Sequence, residues 1–278
     1  MKALQALRHY VAEHKYAINA KQLGDPAELP WSNLGYWDES SSSYPQACQQ
    51  LAAQLAEAVK LKSTDRLLDL GCGQGASLVF WQQRYQLQQP AAVELQARCV
   101  VNIQRHLPAL SSIHQHSFLK LAELAFQHPF DVVLCIDAAY HCNIETFLTS
   151  VSTVLAASGR LGFHCLIWSE QAQRLSALQK QKYRWLLKAA DINTDHLMTA
   201  CALQQTLQRY DLLDIEITDL SRPVLLGFSH YFQQLVPQGK GLDAFKIRMT
   251  AQLCSQLYAD GWVQYVQVSA KKHHLAAV

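Results

Sequence analysis

Long apolar runs, clustered basic residues and paired cysteines are all missing from this 278-residue sequence. The first absence excludes a bilayer-spanning helix, which needs about 20 apolar residues in a row. The second argues against a nucleic-acid binder, whose Lys and Arg gather on one face. Here the formal charge is +2, and the basic tail Lys271-Lys272-His273-His274 is short. The third removes both zinc-ligand spacing and a disulfide framework. The eight cysteines (Cys48, Cys72, Cys99, Cys135, Cys142, Cys165, Cys201 and Cys254) stand singly, and no metal is expected. Charge is scarce as well, at 17% of residues against 50% hydrophobic, which is the reverse of a disordered composition. The opening MKALQALRHYVAEHKY is broken by charges and lacks the apolar core of a secretory signal, so the cytoplasm is the expected compartment.

What is present is an alternation. After a helix over 1–20 comes a segment rich in Pro, Gly, Ser and aromatics at 23–45, then an amphipathic helix over 46–61. From Arg66 short apolar runs alternate with helical stretches: strands at 66–70, 90–95, 111–117, 130–136 and 160–168, helices at 76–86, 97–107, 119–125 and 145–158. This order predicts an α/β fold with a mostly parallel sheet, its strands buried on both faces. The stretch 169–210 is too long for one crossover and reads as a crossover helix plus an inserted helical cap. A strand at 212–220, helices at 228–236 and 243–259 and a last strand at 262–270 complete the pattern. The expected divisions are therefore an N-terminal lid and helix (1–62), a core (63–168), a helical cap (169–210) and the rest of the core sheet (211–278).

The chemistry concentrates in Leu67-Leu68-Asp69-Leu70-Gly71-Cys72-Gly73-Gln74-Gly75, a strand running into a glycine turn and a helix. Glycines permit positive φ and let a ligand approach the backbone. The first amides of the helix favour electronegative groups. The spacing is neither GxGxxG nor a P-loop, which disfavours a dinucleotide-linked dehydrogenase. Asp69 would repel a pyrophosphate and suits an ammonium or sulfonium instead. Glu94 ends the next strand, where doubly wound folds place an acid on the ribose hydroxyls. Taken alone it is equally a solvated strand-end acid.

With those residues in view, LLDLGCGQG followed by AAVEL resembles the nucleotide-binding core of class I S-adenosylmethionine-dependent methyltransferases. FDVVLCIDAAYH and VLAASGRLGF are similar to that family's fourth strand and entry to the fifth. NLGYWDESSSSYPQA, DLLDIEITDLSRPVLLGF and GWVQYVQVSAKK resemble its sterol, tocopherol, phosphoethanolamine and natural-product branch. The resemblance implies a Rossmann-like seven-stranded sheet with an antiparallel last strand, a helical N-terminal lid and S-adenosylmethionine as cofactor. It places Asp69, Gly71, Cys72, Gly73 and Gly75 at the methionine end, and Leu95 and Gln96 beside adenine. Asp137 and Ala138 would border the sulfonium. The family's acid after the third strand is replaced here by His116-Ser117, so Ser117 or His116 would meet adenine with Phe118 packed on it.

Such a cofactor is already electrophilic, so the protein mainly aligns acceptor, methyl and sulfur. His141, directly after the fourth strand, is the candidate base, and a loop-capping histidine would look the same in sequence. Tyr16, Tyr36, Trp37, Tyr140, His164 and Trp185 are candidates for contact with a small-molecule acceptor, with Tyr10 and Trp31 as further lid aromatics. Core aromatics would share that pattern. A monomer or homodimer is expected, without nucleic acid. Two other readings stand beside methyl transfer: a lipid-modifying enzyme similar to cyclopropane synthases, and a non-catalytic adenosylmethionine-binding module.

Overall fold

A computed structural model describes residues 19–110, 112–235 and 241–273. Its strands are β1 (Leu67–Leu70), β2 (Ala91–Glu94), β3 (Ile113–Gln115), β4 (Phe130–Cys135), β5 (Leu155–Trp168), β6 (Leu212–Asp219) and β7 (Val263–Lys272). They form one sheet in the order β3-β2-β1-β4-β5-β7-β6. Neighbours from β3 to β5 are parallel, and β7 runs antiparallel to both β5 and β6. The expected mostly parallel seven-stranded sheet with an antiparallel last strand is therefore present. Every residue of β1 and β2 is buried, as a strand covered on both faces requires.

Helices α1 (Tyr44–Ala58), α2 (Ala76–Tyr85), α3 (Ala97–His106), α4 (Ile144–Ser152), α5 (Ala177–Ala189), α6 (Ala200–Arg209), α7 (Gly227–Gln234) and α8 (Leu242–Asp260) flank the sheet. On one face Leu51 and Leu55 of α1, Trp81 of α2 and Leu257 of α8 join a single apolar cluster. On the other, Phe147 and Leu148 of α4 pack with Leu203 and Leu207 of α6. The segment after β5 thus divides. α6 packs under β6, while α5, opened by a capping box between Ser176 and Gln179, turns Tyr183 and Leu187 into the first apolar cluster.

Two local expectations are corrected. The helix expected over 145–158 stops at Ser152, because Leu155 is drawn into β5 opposite Phe130 and the chain then bulges through Ser158 at φ 61°. The helix expected over 119–125 is a 3-10 turn, Phe118–Glu123, capped by the Ser117 hydroxyl. An unanticipated π-helical turn, Arg222–Leu226, leads into α7.

The segment before α1 lies as a strap along the carboxyl edge of the sheet. Asp25 accepts the Trp31 amide at 2.7 Å, and the Tyr44 hydroxyl donates to the Asn33 carbonyl at 2.8 Å. The Trp37 ring stacks on Tyr231 with centroids 4.2 Å apart. Among the described residues no helix is long and apolar enough to cross a membrane, and no group of His, Cys, Asp and Glu could hold a metal ion.

Candidate active site

The glycine turn has the backbone its sequence implies. Gly71, Gly73 and Gly75 have φ of 68°, 56° and 94°, and α2 begins immediately after them. Gly71 is tied to β2 through its amide, which donates to the Val93 carbonyl at 2.8 Å. A Cβ on Gly75 would lie 2.6 Å from Ile103 of α3, so the third glycine serves close packing. A Cβ on Gly73 would lie 2.7 Å from the Ser32 hydroxyl, so the strap rests directly on the turn.

Two carboxylates flank this turn. Asp69 is buried at the end of β1 and accepts the Trp81 indole N–H at 2.7 Å. Burial pushes its carboxyl up to about 6, against the pull of that hydrogen bond. Glu94 is also buried. It accepts the Gly73 amide at 2.9 Å on one oxygen and the Gln96 amide at 2.8 Å on the other. Burial raises its pKa, and the backbone donors hold it down. Asp69, Gly71, Cys72, Ser77 and Ile136 line one side of a cleft whose other side is Pro30, Trp31, Ser32 and Asn33 of the strap.

Phe118 lies 3.5 Å from a Cβ built on Gly71, and Ala138 lies 3.1 Å from it. Gln96 caps α3, and Leu95 is 60% exposed at the end of β2. Asp137 accepts the Leu34 amide of the strap at 2.9 Å and the Tyr265 hydroxyl of β7 at 3.0 Å. Burial raises its pKa.

His141 ends a 3-10 turn, Ala139–His141, just beyond β4. Its Nδ1 lies 3.2 Å from the Asp191 carbonyl, and its ring lies 4.5 Å from that of Tyr140. Tyr140 opens into a second, largely apolar hollow. Cys142 and Ile144 continue its wall beyond β4, and Cys165 and Ile167 of β5 form another side. His196, Met198 and Leu203 close it.

Four acceptor candidates sit elsewhere. His164 is fully buried inside β5, its Nε2 3.3 Å from the Gln267 oxygen of β7, and it lines neither hollow. Burial lowers its pKa to about 4, which fixes it as a neutral core residue. The strand runs on to Trp168, so His164 is not at its end. Trp185 is 65% exposed on α5 beneath the Lys188 ammonium, while its neighbour Tyr183 takes the buried place. Trp37 is spent on its stack with Tyr231 and a 2.8 Å bond to the Leu34 carbonyl. Tyr36 packs half-buried against the same core. Tyr10 and Tyr16 lie outside the described residues. Sequence reading did not single out Ser32, Asn33, His196, Met198 and Tyr265; Asn33 and Tyr265 lie in quoted segments, but nothing there marks them from their neighbours.

The family model described as mycolic acid cyclopropane synthetase matches residues 32–275. A stretch of 66 residues is 40% identical to erythromycin 3''-O-methyltransferase of Saccharopolyspora erythraea, covering 24% of this chain and 22% of that enzyme. The match thus spans about a fifth of that curated relative's length. Geranyl diphosphate C-methyltransferase from Streptomyces coelicolor A3(2), solved with S-adenosyl-L-homocysteine, superposes with a TM-score of 0.71 at 17% identity over 94% of this chain and 96% of that one. A cyclopropane synthase from Mycobacterium tuberculosis superposes with a TM-score of 0.72 at 14% identity over 94% and 97%. These two share the fold. On the strength of the family match, which runs from the strap to the last strand, the chain belongs to the mycolic acid cyclopropane synthetase family of S-adenosylmethionine-dependent enzymes.

Proposed function

We propose that this protein transfers the methyl group of S-adenosylmethionine to a small-molecule acceptor. The observation that carries the reading is a turn of three positive-φ glycines with a buried carboxylate on each flank: Asp69, which lines the cleft with Gly71 and Cys72, and Glu94, which accepts the Gly73 amide. Those residues fit the cofactor in their chemistry: the acids suit its ammonium and ribose, and the glycine turn, on which Ser32 of the strap rests, would present backbone amides to its amino-acid tail. When bound, the cofactor supplies an electrophilic methyl on a sulfonium. Asp69 pairs with the ammonium. Glu94 holds the ribose hydroxyls with lone pairs that its two backbone donors leave over. Leu95, Gln96, Ser117 and Phe118 flank the adenine. The strap excludes water from the cleft.

The acceptor enters through the second hollow, whose wall includes Tyr140 beside His141. His141 takes the acceptor's proton where one must leave. Holding the reactants in line is worth roughly 7–11 kcal/mol of barrier, and a base adds about 10²–10⁴-fold. The protein works in the cytoplasm as a monomer or homodimer. Calorimetry tests the class: S-adenosylmethionine and S-adenosylhomocysteine bind, and NAD does not. Binding of NAD, or of neither adenosyl compound, refutes it.

The family match also favours a second reading, methylene transfer to an unsaturated lipid. Vesicles of monounsaturated phospholipid incubated with the protein and S-adenosylmethionine decide between them. A mass gain of one methylene on the acyl chain supports the second reading, and unmodified lipid supports the first.

A further inference from the structure

Only Tyr183 and Leu187 of the 13 residues of α5 are buried. The opposite face is not the polar surface that such a helix usually presents to water. Leu178 is 84% exposed and Trp185 is 65% exposed. Seven positions, or two turns, separate them, so they share one side, and Trp185 lies about 200° round the helix from Tyr183. Lys180, Lys182, Arg184 and Lys188 flank them, and the helix contains no acid. Arg184 pairs with Asp195 at 3.0 Å, and the Lys188 ammonium lies 5.8 Å from the centre of the Trp185 ring. Among the described residues no ion pair takes up Lys180, Lys182 or Lys188.

An exposed tryptophan and leucine set among lysines outside any ion pair complement the surface of an anionic bilayer. The apolar side chains sink among the headgroups, and the ammonium groups meet lipid phosphates. We propose that the outer face of α5 docks this protein on a negatively charged lipid surface. Charge and size select this occupant over two others. A second copy would bring four cations against four cations, which repel. A specific protein partner takes about 800 Å² from each side, whereas α5 is about 20 Å long and offers two apolar side chains. Lysine is also depleted from protein interfaces. Helix α8 exposes Leu242, Phe245 and Met249 as well, but Asp243 in its first turn sets an acid beside them. Docking through α5 reaches the second hollow. The chain runs from α5 to the turn Thr194–His196, and His196, Leu197 and Met198 form part of that hollow's wall. The Arg184–Asp195 pair ties the helix to the same turn. A docked α5 therefore holds this wall close to the lipid. The inference stands on the surface alone and does not depend on methyl transfer.

Vesicle sedimentation of the full chain tests it. Vesicles of phosphatidylcholine mixed with phosphatidylglycerol should bind the protein, pure phosphatidylcholine vesicles should bind it at least roughly tenfold less, and added salt should release it. Trp185→Ala should weaken binding by roughly tenfold. Lys180→Gln combined with Lys182→Gln should weaken it by roughly thirtyfold, about fivefold for each lysine. All three positions are exposed, so the thermal midpoint of each variant should match wild type. Phe245→Ala on α8 should bind as wild type does. No binding to anionic vesicles, equal binding to neutral ones, or full binding by either α5 variant overturns the proposal. A loss seen with Phe245→Ala alone moves the docking face to α8 and also overturns it. So does lipid-free self-association that Trp185→Ala abolishes, which assigns the face to a second copy.

Discussion

The two hollows at the carboxyl edge of the sheet are made of different material. The cleft beside the glycine turn is backbone and charge: Gly71 and Cys72, the buried Asp69, and a strap whose Trp31 and Leu34 amides donate to the carboxylates of Asp25 and Asp137. The second hollow is side chain: a tyrosine, two cysteines, a methionine, a histidine and aliphatics, drawn from the turn after β4, from β5 and from the segment leading into α6. A site built on backbone has its shape set by φ and ψ and tolerates little change. A site walled by side chains on an insertion can be re-lined while the fold stands. The contrast teaches that one fold can keep one cofactor while its acceptor varies.

The sharpest way to break that contrast is through function. His141→Ala should cut methyl transfer to an accepted substrate by about 10²–10⁴-fold while leaving cofactor affinity within about twofold, measured by turnover and calorimetry together. Full turnover would remove His141 from the chemistry. Glu94→Ala should weaken S-adenosylmethionine binding by about 100-fold, or ~3 kcal/mol, because it strips the ribose grip and orphans the Gly73 and Gln96 amides. Unchanged affinity would show that the cleft does not depend on its acids.

Opposite pH slopes distinguish the buried groups. His164 titrates at about 4 in the folded chain against 6.5 when exposed, so the unfolded state takes its proton first. Its contribution to stability is complete above pH 6.5 and is lost as pH falls toward 4, by roughly 3 kcal/mol. Asp69 does the reverse. Its folded pKa of about 6 lies above the ordinary 3.8, so the folded state keeps the proton and stability declines as pH rises through that window. Against wild type, His164→Gln should make denaturant stability less sensitive to acid, and Asp69→Asn should make it more so. Parallel shifts in the two variants would contradict these placements.

Gly73→Ala should reduce cofactor affinity by about tenfold, since the new methyl meets Ser32 at a positive φ, and adding Ser32→Ala should recover part of that loss by calorimetry. No recovery would mean that the strap does not rest on the turn in solution. At the small end, Trp185→Ala should change unfolding free energy by less than about 0.5 kcal/mol and leave cofactor binding untouched. A larger effect would bring the outer face of α5 into the site.

Legibility in the sequence follows the same division. Leu67 to Gly75 and Glu94 could be read because the turn's geometry is dictated by adjacent residues and the acid by its place at a strand end. The sheet was readable because buried parallel strands appear as continuous apolar runs. The boundary near Leu155 was not, since VSTVLAAS suits a helix until pairing with Phe130 draws it into the sheet. His164 looked like a residue of the cleft although the strand expected over 160–168 already ran past it, because nothing local says that Gln267 of a distant strand covers it. Tyr265 meets Asp137 across 128 positions, a distance at which periodicity carries no signal. In α5 the buried aromatic is Tyr183, not Trp185, and two aromatics a couple of positions apart do not announce which one turns inward.

The order of the sheet has a consequence for how the protein is made. β7, the last strand, is inserted between β5 and β6 and so is an interior one. On the ribosome the glycine turn and both flanking acids are complete long before it emerges. Until then β5 and β6 each present an unpaired edge, and the Asp137 carboxylate beyond β4 lacks the Tyr265 hydroxyl. A nascent chain stalled before Val263 would therefore carry a finished glycine turn beside an unsealed sheet, open to pairing with other chains.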